Sequence, residues 1–316
     1  MPLMSSLGLV GLVAAGNWAA TWRVAAAAEA RHPPQGRFVT VPGGRMHLMD
    51  TGEPWPGAPV IVLIHGASSL HADLLSVLGP RLKAQARVIA IDRPGHGWSD
   101  RLGGREMASA ALQADAIVAA LAAAGARRFT IIGHSLAGAV STRIALEHPD
   151  RVVALILLAA VTHPWPGRAI TWYYHPASHP LTGGAFARLL AIPVGTAGLE
   201  GAISGVFAPQ APPPDYAQTA QIRLVLRPAA FEANAQDVAA TYDFVAAQAA
   251  RYGELAMPVL AIAGDADTIV WTDIHTRGIA REAQRGRAIV LPGLGHMPHH
   301  IVPELIVREA LALAGA

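Results

Sequence analysis

A serine between a strand-like run and a helix-like stretch is the first residue whose surroundings suit covalent chemistry. Ser135 follows the apolar run FTIIGH at 129–134 and precedes the stretch 136–147. A strand that turns sharply into a helix presents a side chain at the edge of a sheet. The flanking residues must be small, because the strand and helix backbones nearly touch; Gly133 meets this need, and Ala137 adds one methyl group. We therefore predict that Ser135 is a nucleophile.

A buried strand ending in His-Gly supplies a second part of the chemistry. The apolar run 60–64 leads into His65, Gly66 and Ala67. Acyl transfer builds negative charge on a carbonyl oxygen, and two backbone N–H groups aimed at that oxygen stabilise it. We expect these donors to be the N–H groups of Ala67 and Leu136, with Gly66 allowing the backbone to turn. His65 is predicted to be structural, a hydrogen-bonding residue beneath the loop.

A histidine late in the chain has the context of a general base. His296 ends the glycine-rich loop PGLGH at 292–296, directly after a strand-like run. An imidazole accepts the serine proton and returns it to the leaving group. His299 and His300 follow and could indicate a metal site, but no HExxH motif is present and no carboxylate lies within this histidine cluster. We therefore expect neither a metal nor a cofactor, and predict that His296 is the base.

Two carboxylates compete for the acid that orients His296. A strand-like run leads into GDAD at 264–267, which contains Asp265 and Asp267. The other position for an acid, after the strand that follows the nucleophile, is empty, because no Asp or Glu occurs from 151 to 199. Asp after Gly commonly closes a turn through its own backbone, which suits Asp265. The residues alone leave both aspartates open.

Strand-like and helix-like segments alternate along most of the chain. After a two-strand unit at 37–50, short apolar runs bounded by turn residues suit strands buried on both faces. These runs lie at 60–64, 88–91, 129–132, 152–158, 259–263 and 288–291. Helix-like stretches lie between or after them, at 108–124, 136–147, 273–283 and 303–313. The alternation implies a mainly parallel sheet covered by helices on both sides.

The alternation breaks between about 161 and 252. This stretch holds several aromatic residues and three consecutive prolines at 212–214, but no clear strand. It is too long for a simple connection, and we interpret it as a helical lid inserted above the sheet. The predicted organisation is an N-terminal hydrophobic segment with a linker at 1–36, a catalytic domain at 37–160 and 253–316, and the lid at 161–252.

Composition excludes several classes of protein. The chain has 316 residues, of which 52% are hydrophobic and 15% charged, which is enough for a large core and unlike a disordered polyelectrolyte. The formal net charge is +2 and the arginines are scattered, so no basic stripe for nucleic acid is present. The absence of cysteine removes a thiol nucleophile, a disulfide framework and thiolate metal sites together.

The first residues form an apolar segment of their own. No charged residue occurs from Leu3 to Trp22, and about 20 apolar residues is the length of a membrane-spanning helix. We expect residues 3–22 to associate the protein with a membrane as an anchor. A signal peptide, cleaved after the small residues 26–28 for secretion or export to the periplasm, is an alternative, although no Lys or Arg precedes the run. A helix packed on the protein surface is another.

Together these motifs resemble those of the α/β-hydrolase superfamily. The resembling segments are the nucleophile elbow at 133–138, the oxyanion loop at 65–66, the loop after the next strand at 92–100, and the acid and base loops at 264–267 and 295–296. The resemblance covers residue 37 onward, and it matches the lid only in position. It implies the α/β-hydrolase fold, a mostly parallel central sheet flanked by helices with an inserted helical lid. The family places the acid three residues after the glycine, which selects Asp267.

The resemblance implies a serine hydrolase, and subfamily features favour a carboxylic ester hydrolase that forms an acyl-enzyme on Ser135. Haloalkane dehalogenases and most epoxide hydrolases of this fold carry aspartate at the position of Ser135, so these two classes are disfavoured. The oxyanion loop at 66–69 lacks both the extended glycine pattern of hormone-sensitive-lipase-like esterases and the glycine- and proline-rich form of carbon–carbon bond hydrolases and proline iminopeptidases. A carbon–carbon bond hydrolase or perhydrolase using the same triad, and a non-enzymatic receptor that retains the triad, are the alternatives.

The predicted partner is a small-molecule ester with an apolar acyl group. The lid supplies few charged residues, so we expect its aromatic side chains to line an apolar pocket. These side chains are Trp165, Trp172, Tyr173, Phe186 and Phe207. The alternative for these side chains is that they only pack the lid onto the sheet.

Overall fold

The structure is a computed structural model that describes residues 2–315, with side-chain surroundings from residue 11 onward. The described residues form one eight-stranded sheet with the order β1-β2-β4-β3-β5-β6-β7-β8. The strands are β1 (Arg37–Val41), β2 (Gly44–Asp50), β3 (Val60–Ile64), β4 (Arg87–Ile91), β5 (Phe129–His134), β6 (Val152–Leu158), β7 (Pro258–Gly264) and β8 (Arg285–Leu291). Each strand-like run in the sequence corresponds to one of them.

The sheet is mainly parallel, as predicted. β1 and β2 are antiparallel to their neighbours, whereas β3 to β8 pair in parallel. The parallel strands end in register: Ile64 of β3 pairs with Gly133 of β5. At the far side, Gly264 of β7 pairs with Leu291 of β8. The loops that follow these strands therefore meet at one edge of the sheet.

Helices cover the sheet and fill the stretch between β6 and β7. The α-helices of the described residues are α1 (Pro2–Arg31), α2 (His71–Leu82), α3 (Ala110–Ala123), α4 (Ala137–Glu147), α5 (Tyr174–Ser178), α6 (Gly183–Phe186), α7 (Ile192–Ala197), α8 (Leu199–Phe207), α9 (Tyr216–Thr219), α10 (Pro228–Ala249), α11 (Thr276–Glu282), α12 (Pro298–Ile301) and α13 (Pro303–Ala314). Short 3-10 turns lie at Gly104–Ala108, Pro166–Arg168, Ile222–Leu226 and Tyr252–Glu254, and a π turn at Ala187–Ala191.

The alternating side chains of the strands build two cores. On β3, Val62 and Ile64 join the cluster that includes residues of α3 and α4, whereas Ile61 and Leu63 join the cluster that includes residues of α2 and α13. All four side chains are fully buried. Successive residues of a strand point to opposite faces, so a strand covered on both sides is apolar throughout.

The residues between β6 and β7 form helices and turns without a strand in the part of the chain described. We call residues 161–252 the insertion. Its longest helix, α10, has 22 residues. The insertion has apolar clusters of its own, one around Phe207 and Tyr216 and another around Tyr174 and Ala235.

The second half of α1 packs on the insertion. The side-chain amide of Asn17 donates to the carbonyl oxygen of Leu189 at 2.8 Å, and the hydroxyl of Thr21 donates to that of Arg188 at 2.6 Å. Further along α1, Ala28 is buried in a cluster with Leu224. This part of α1 is therefore held to the protein by both polar and apolar contacts.

The first half of α1 makes fewer contacts where the structure describes its side chains. Leu12 is 73% exposed, and in the second half of the helix Trp22 is 66% exposed. No single helix within residues 2–315 combines the length and the hydropathy of a membrane span. Two consecutive apolar segments, Gly183–Ala197 and Leu199–Phe207, meet that criterion only when taken together, and they are bent by 66°.

Candidate active site

Ser135 occupies a strained turn between β5 and α4. Its φ angle is +54°, a left-handed conformation that costs energy in a residue other than glycine. The turn is fixed by backbone hydrogen bonds, in which Ser135 N–H donates to Leu158 at 3.0 Å and Val161 N–H donates to the Ser135 carbonyl at 2.9 Å. Such a turn exposes the hydroxyl at the top of the sheet. The predicted strand, turn and helix around Ser135 are all present.

Two glycines permit this turn. A Cβ atom on Gly133 would lie 2.4 Å from the Oγ of Ser141 in α4, and one on Gly138 would lie 2.6 Å from the carbonyl oxygen of Val161. Ala137, at the place of the usual second glycine, is fully buried and is accommodated. After Gly133, the next position of this turn without room for a side chain is therefore Gly138. The motif places the second glycine one residue earlier, at Ala137.

The structure brings the three predicted triad residues into one chain of hydrogen bonds. The Nε2 atom of His296 lies 2.9 Å from the Oγ of Ser135, and its Nδ1 atom lies 2.8 Å from the Oδ2 of Asp267. The other carboxylate oxygen of Asp267 accepts from the N–H groups of Ile269 and Val270, at 2.8 and 3.0 Å. With Nδ1–H donating to the carboxylate, Nε2 is free to accept the serine proton.

Asp265 does not contact His296. It is exposed, and its Oδ1 accepts from the N–H of Gly293 at 2.6 Å, which links the acid loop to the histidine loop. The two loops also touch at Gly264, where a Cβ atom would lie only 1.7 Å from the carbonyl oxygen of Leu294. Asp265 and Gly264 therefore help to position the loop of His296, although neither belongs to the predicted triad.

The two predicted oxyanion donors lie beside Ser135, the predicted nucleophile. A Cβ atom on Gly66 would lie 2.8 Å from the Cβ of Ser135, so the loop after β3 lies directly against the serine. Across residues 2–315, the N–H groups of Ala67 and Leu136 have no hydrogen-bond acceptor. Both donors are thus free to bind a charged oxygen at this edge of the sheet.

His65 lies beneath the oxyanion loop, as predicted. Its Nδ1 atom is 2.9 Å from the carbonyl oxygen of Gly66, and its Nε2 atom accepts from the N–H of Arg93 at 3.0 Å. Complete burial, together with the charge of Arg93, lowers the pKa of His65 well below its usual value. A neutral imidazole with both ring nitrogens engaged supports the loop.

A buried ion pair that the sequence did not indicate ties the oxyanion loop to the insertion. The guanidinium of Arg93 is fully buried and donates to the carbonyl oxygens of His65 and Gly66, at 3.0 and 3.1 Å. It also donates to the carboxylate of Asp237 in α10, at 2.6 Å. These two residues are 144 positions apart, and no local pattern connects them.

Two groups of side chains have the donor atoms of a metal site. In the first, the Nδ1 atoms of His47 and His71 lie 2.8 and 2.9 Å from different oxygens of Asp92. Asp92 also accepts from the backbone N–H groups of His71 and Trp98. Although burial opposes ionisation, His71 and His47 hold the pKa of Asp92 well below its usual range. This carboxylate has its acceptor sites filled and anchors the loop 92–100.

The second group includes the histidine cluster that follows the base. The Nε2 atoms of His299 and His300 lie 3.3 and 2.9 Å from one oxygen of Asp73 in α2, and Ser69 donates to the other at 3.1 Å. Their ligand atoms lie within 4.8 Å of one another, so these are the residues that could hold a metal here. The sequence contains no carboxylate within this histidine cluster, but the folded protein does. Folding brings Asp73 to these histidines from 226 residues away.

The fold and the site together define the class of this protein. The family described as alpha/beta hydrolase fold matches residues 59–301, and the chain belongs to that family. A 2-hydroxymuconate semialdehyde hydrolase from Pseudomonas putida is 32% identical over 154 residues, which are 48% of this chain and 53% of the relative. The chain thus spans about half the length of the curated relatives it matches.

Solved structures share the fold over a larger part of the chain. The enol-lactonase from Burkholderia xenovorans superposes with a TM-score of 0.69 at 18% identity, covering 89% of this chain and all 100% of that one. A bacterial membrane phospholipase A superposes with a TM-score of 0.68 at 20% identity, covering 99% of this chain and 97% of that one. The predicted α/β-hydrolase fold is confirmed.

Proposed function

We propose that this protein is a carboxylic ester hydrolase that forms an acyl-enzyme on Ser135. The observation that carries the proposal is the chain of hydrogen bonds from Ser135 through His296 to Asp267, at 2.9 and 2.8 Å. The backbone N–H groups of Ala67 and Leu136, which have no acceptor among the described residues, lie beside the same serine. This arrangement has a nucleophile, a base, an acid that orients the base, and a site for the oxyanion.

The reaction follows from the roles of these atoms. The Oγ of Ser135 attacks the ester carbonyl carbon while its proton passes to Nε2 of His296. The oxyanion accepts hydrogen bonds from Ala67 and Leu136, and the imidazolium then gives its proton to the leaving alcohol. A water molecule attacks the acyl-serine with His296 again as base, which releases the acid and restores the serine. Asp267 orients the imidazole and stabilises the imidazolium.

We further propose that the acyl group is apolar and lies beneath the insertion. Tyr173 and Phe186 flank a buried cluster of the insertion and remain partly exposed, so they are available to a substrate. Phe207 is buried against Tyr216 and His300, with ring centroids 4.8 and 5.1 Å apart. That contact fits the packing role, so we assign the acyl contact to Tyr173 and Phe186 rather than Phe207.

The second candidate is carbon–carbon bond hydrolysis with the same triad. It is favoured by the relative from Pseudomonas putida, whose name specifies a 2-hydroxymuconate semialdehyde as substrate. Such a substrate carries a carboxylate, which calls for a cationic partner near the nucleophile. Arg93 reaches the oxyanion loop but is saturated by Asp237 and Gln113. That saturation supports the ester over the anionic substrate.

Purified protein should be assayed on p-nitrophenyl esters from acetate to dodecanoate and, in parallel, on 2-hydroxymuconate semialdehyde. The proposal predicts release of p-nitrophenol with a kcat/KM that rises from acetate to medium chains, because an apolar pocket gains affinity with each buried methylene. Cleavage of the semialdehyde without ester turnover would establish the second candidate instead. Turnover of neither, with binding of either compound, would fit a receptor that retains the triad.

We also propose that α1 associates the protein with a membrane. Leu12 and Trp22 present apolar surface to solvent, and residues 3–22 carry no charge. A bacterial membrane phospholipase A superposes on 99% of this chain, which lends support to an anchored ester hydrolase. Cell fractionation tests this placement.

A further inference from the structure

The loop that carries the predicted base is rich in glycine. It runs through residues 292–296 and contains Gly293 and Gly295, so two of its five residues are glycine. Glycine loses more conformational freedom on folding than any other residue. Contacts from outside the loop must therefore hold it if the Nε2 of His296 is to stay 2.9 Å from the Oγ of Ser135.

The side-chain amide of Gln210 makes two opposed hydrogen bonds to this loop. Its Nε2 donates to the carbonyl oxygen of Gly293 at 2.7 Å, and its Oε1 accepts from the N–H of Gly295 at 2.9 Å. An amide offers both a donor and an acceptor, so it satisfies both backbone groups at once. Gln210 belongs to the insertion, and its partners lie 83 and 85 residues further along the chain.

The backbones of the loop and the insertion also touch. A Cβ atom on Gly295 would lie 2.1 Å from the carbonyl oxygen of Ala208. A second amide of the insertion holds the opposite side of the site, where Asn234 Oδ1 accepts from the N–H of Ser68 at 2.7 Å, one residue after Ala67. The insertion thus contacts both the loop that carries His296 and the loop that carries Ala67.

We propose that Gln210 is a positioning residue, through which the insertion fixes the loop of the catalytic base. The proposal rests on the proposed function for the role of His296. The side chain of Gln210 forms its hydrogen bonds with the backbone of Gly293 and Gly295, which flank Leu294, and not with the Oγ of Ser135 or the ring of His296. Its effect is expected on the geometry of proton transfer rather than on substrate affinity.

Three variants of the full chain test the proposal. Gln210→Met keeps the length of the side chain and removes both hydrogen bonds. Gln210→Glu keeps the acceptor for Gly295 N–H and loses the donor to Gly293. Gln218→Met is the matched control, because Gln218 is an exposed glutamine of the same insertion. Each variant is assayed for kcat and KM on a p-nitrophenyl ester, and the backbone amide exchange of residues 293–297 is followed by mass spectrometry.

Gln210→Met should lower kcat by about tenfold or more with KM within about twofold, because small misplacements of a catalytic group are costly. Amide exchange of the loop should accelerate in Gln210→Met, stay at the wild-type rate in Gln218→Met, and be intermediate in Gln210→Glu. Equal exchange and equal kcat in Gln210→Met and Gln218→Met would overturn the proposal, as would a rise in KM with kcat unchanged. If wild type hydrolyses no ester, the proposed function fails, and the exchange rates alone decide whether Gln210 holds the loop.

Discussion

Asp267 and Asp265 are two residues apart, yet they contact different partners. Turn chemistry alone leaves both aspartates open as the acid, and the family pattern selects Asp267. In the structure only Asp267 reaches Nδ1 of His296, at 2.8 Å, while Asp265 accepts from Gly293. The distinction depends on which side chain points to the sheet edge, and a four-residue loop does not specify that in sequence.

Asp267→Asn should lose about 10⁴ in turnover, the scale of this change in serine proteases, because an amide favours the wrong tautomer of His296. Asp265→Asn should retain turnover close to wild type and lose at most about 1 kcal/mol of stability, because the amide oxygen still accepts from Gly293 N–H but no longer carries the charge that strengthens the bond. Both are measured as kcat at matched folded concentration, together with a thermal melt. A large loss in Asp265→Asn with Asp267→Asn active would show that the acid has been misassigned.

Buried histidines should make the fold sensitive to acid. Complete burial lowers the pKa of His65, His96 and His134 well below the usual value of a histidine, and the charge of Arg93 adds to this effect at His65 and His96. The unfolded chain binds protons on these imidazoles below about pH 6.5, whereas the folded chain keeps them neutral. Their contribution is therefore complete above that pH and is lost as the pH falls. His47 acts in the opposite direction, because its bond to Asp92 raises its pKa despite burial.

The melting temperature should accordingly be level above about pH 7 and fall steeply towards about pH 5, since each such imidazole contributes up to about 1.4 kcal/mol per pH unit. Replacing His96 by Asn should reduce this slope. A melting temperature that is unchanged or higher at the acidic end would contradict the neutral, buried state of these residues.

The strands were predicted well because their signal is local. Each is a short apolar run between turn residues, and the parallel register then brings the loops after β3, β5, β7 and β8 to one edge. α2 is missing from the sequence prediction because Pro80 lies inside it and interrupts a helical pattern. The sequence does not identify the partner of Arg93 either, because Asp237 lies 144 residues away and reaches Arg93 only when the insertion folds over the sheet.

The end of β7 should tolerate no side chain. Gly264→Ala should cost about 1–3 kcal/mol of stability and lower kcat, because its Cβ would press on the carbonyl of Leu294, two residues before His296. Gly253→Ala is the matched control, since a Cβ there meets nothing within 4 Å. Thermal melts and kcat of the two variants are compared with wild type. Equal behaviour of the two variants would mean that the acid and base loops are not in tight contact.

The helix α1 lies wholly outside the family match, which covers residues 59–301. Its first half is apolar, while Asn17 and Thr21 bind the insertion. The sequence shows the apolar run but not this docking, because the partners at 188–189 lie far along the chain. Any attachment of α1 to a membrane would therefore act directly on the insertion.

Full-length protein should sediment with the membrane fraction after cell lysis, and a chain lacking residues 2–16 should remain in the supernatant. The truncated chain should keep the proposed esterase activity, because the contacts of Asn17 and Thr21 are retained. Full-length protein found in the supernatant would contradict the membrane proposal. A mature N-terminus near Ala28 would instead support cleavage of a signal peptide.

The central claim is that Ser135 forms the covalent intermediate, and a fluorophosphonate probe tests it most directly. The triad geometry predicts one adduct per wild-type chain, located by peptide mass spectrometry on Ser135, with no adduct on Ser135→Ala. The same substitution should reduce ester turnover by about 10³ or more, the residual rate coming from the oxyanion donors and binding. Equal labelling of both proteins, or an adduct on another serine, would contradict the account.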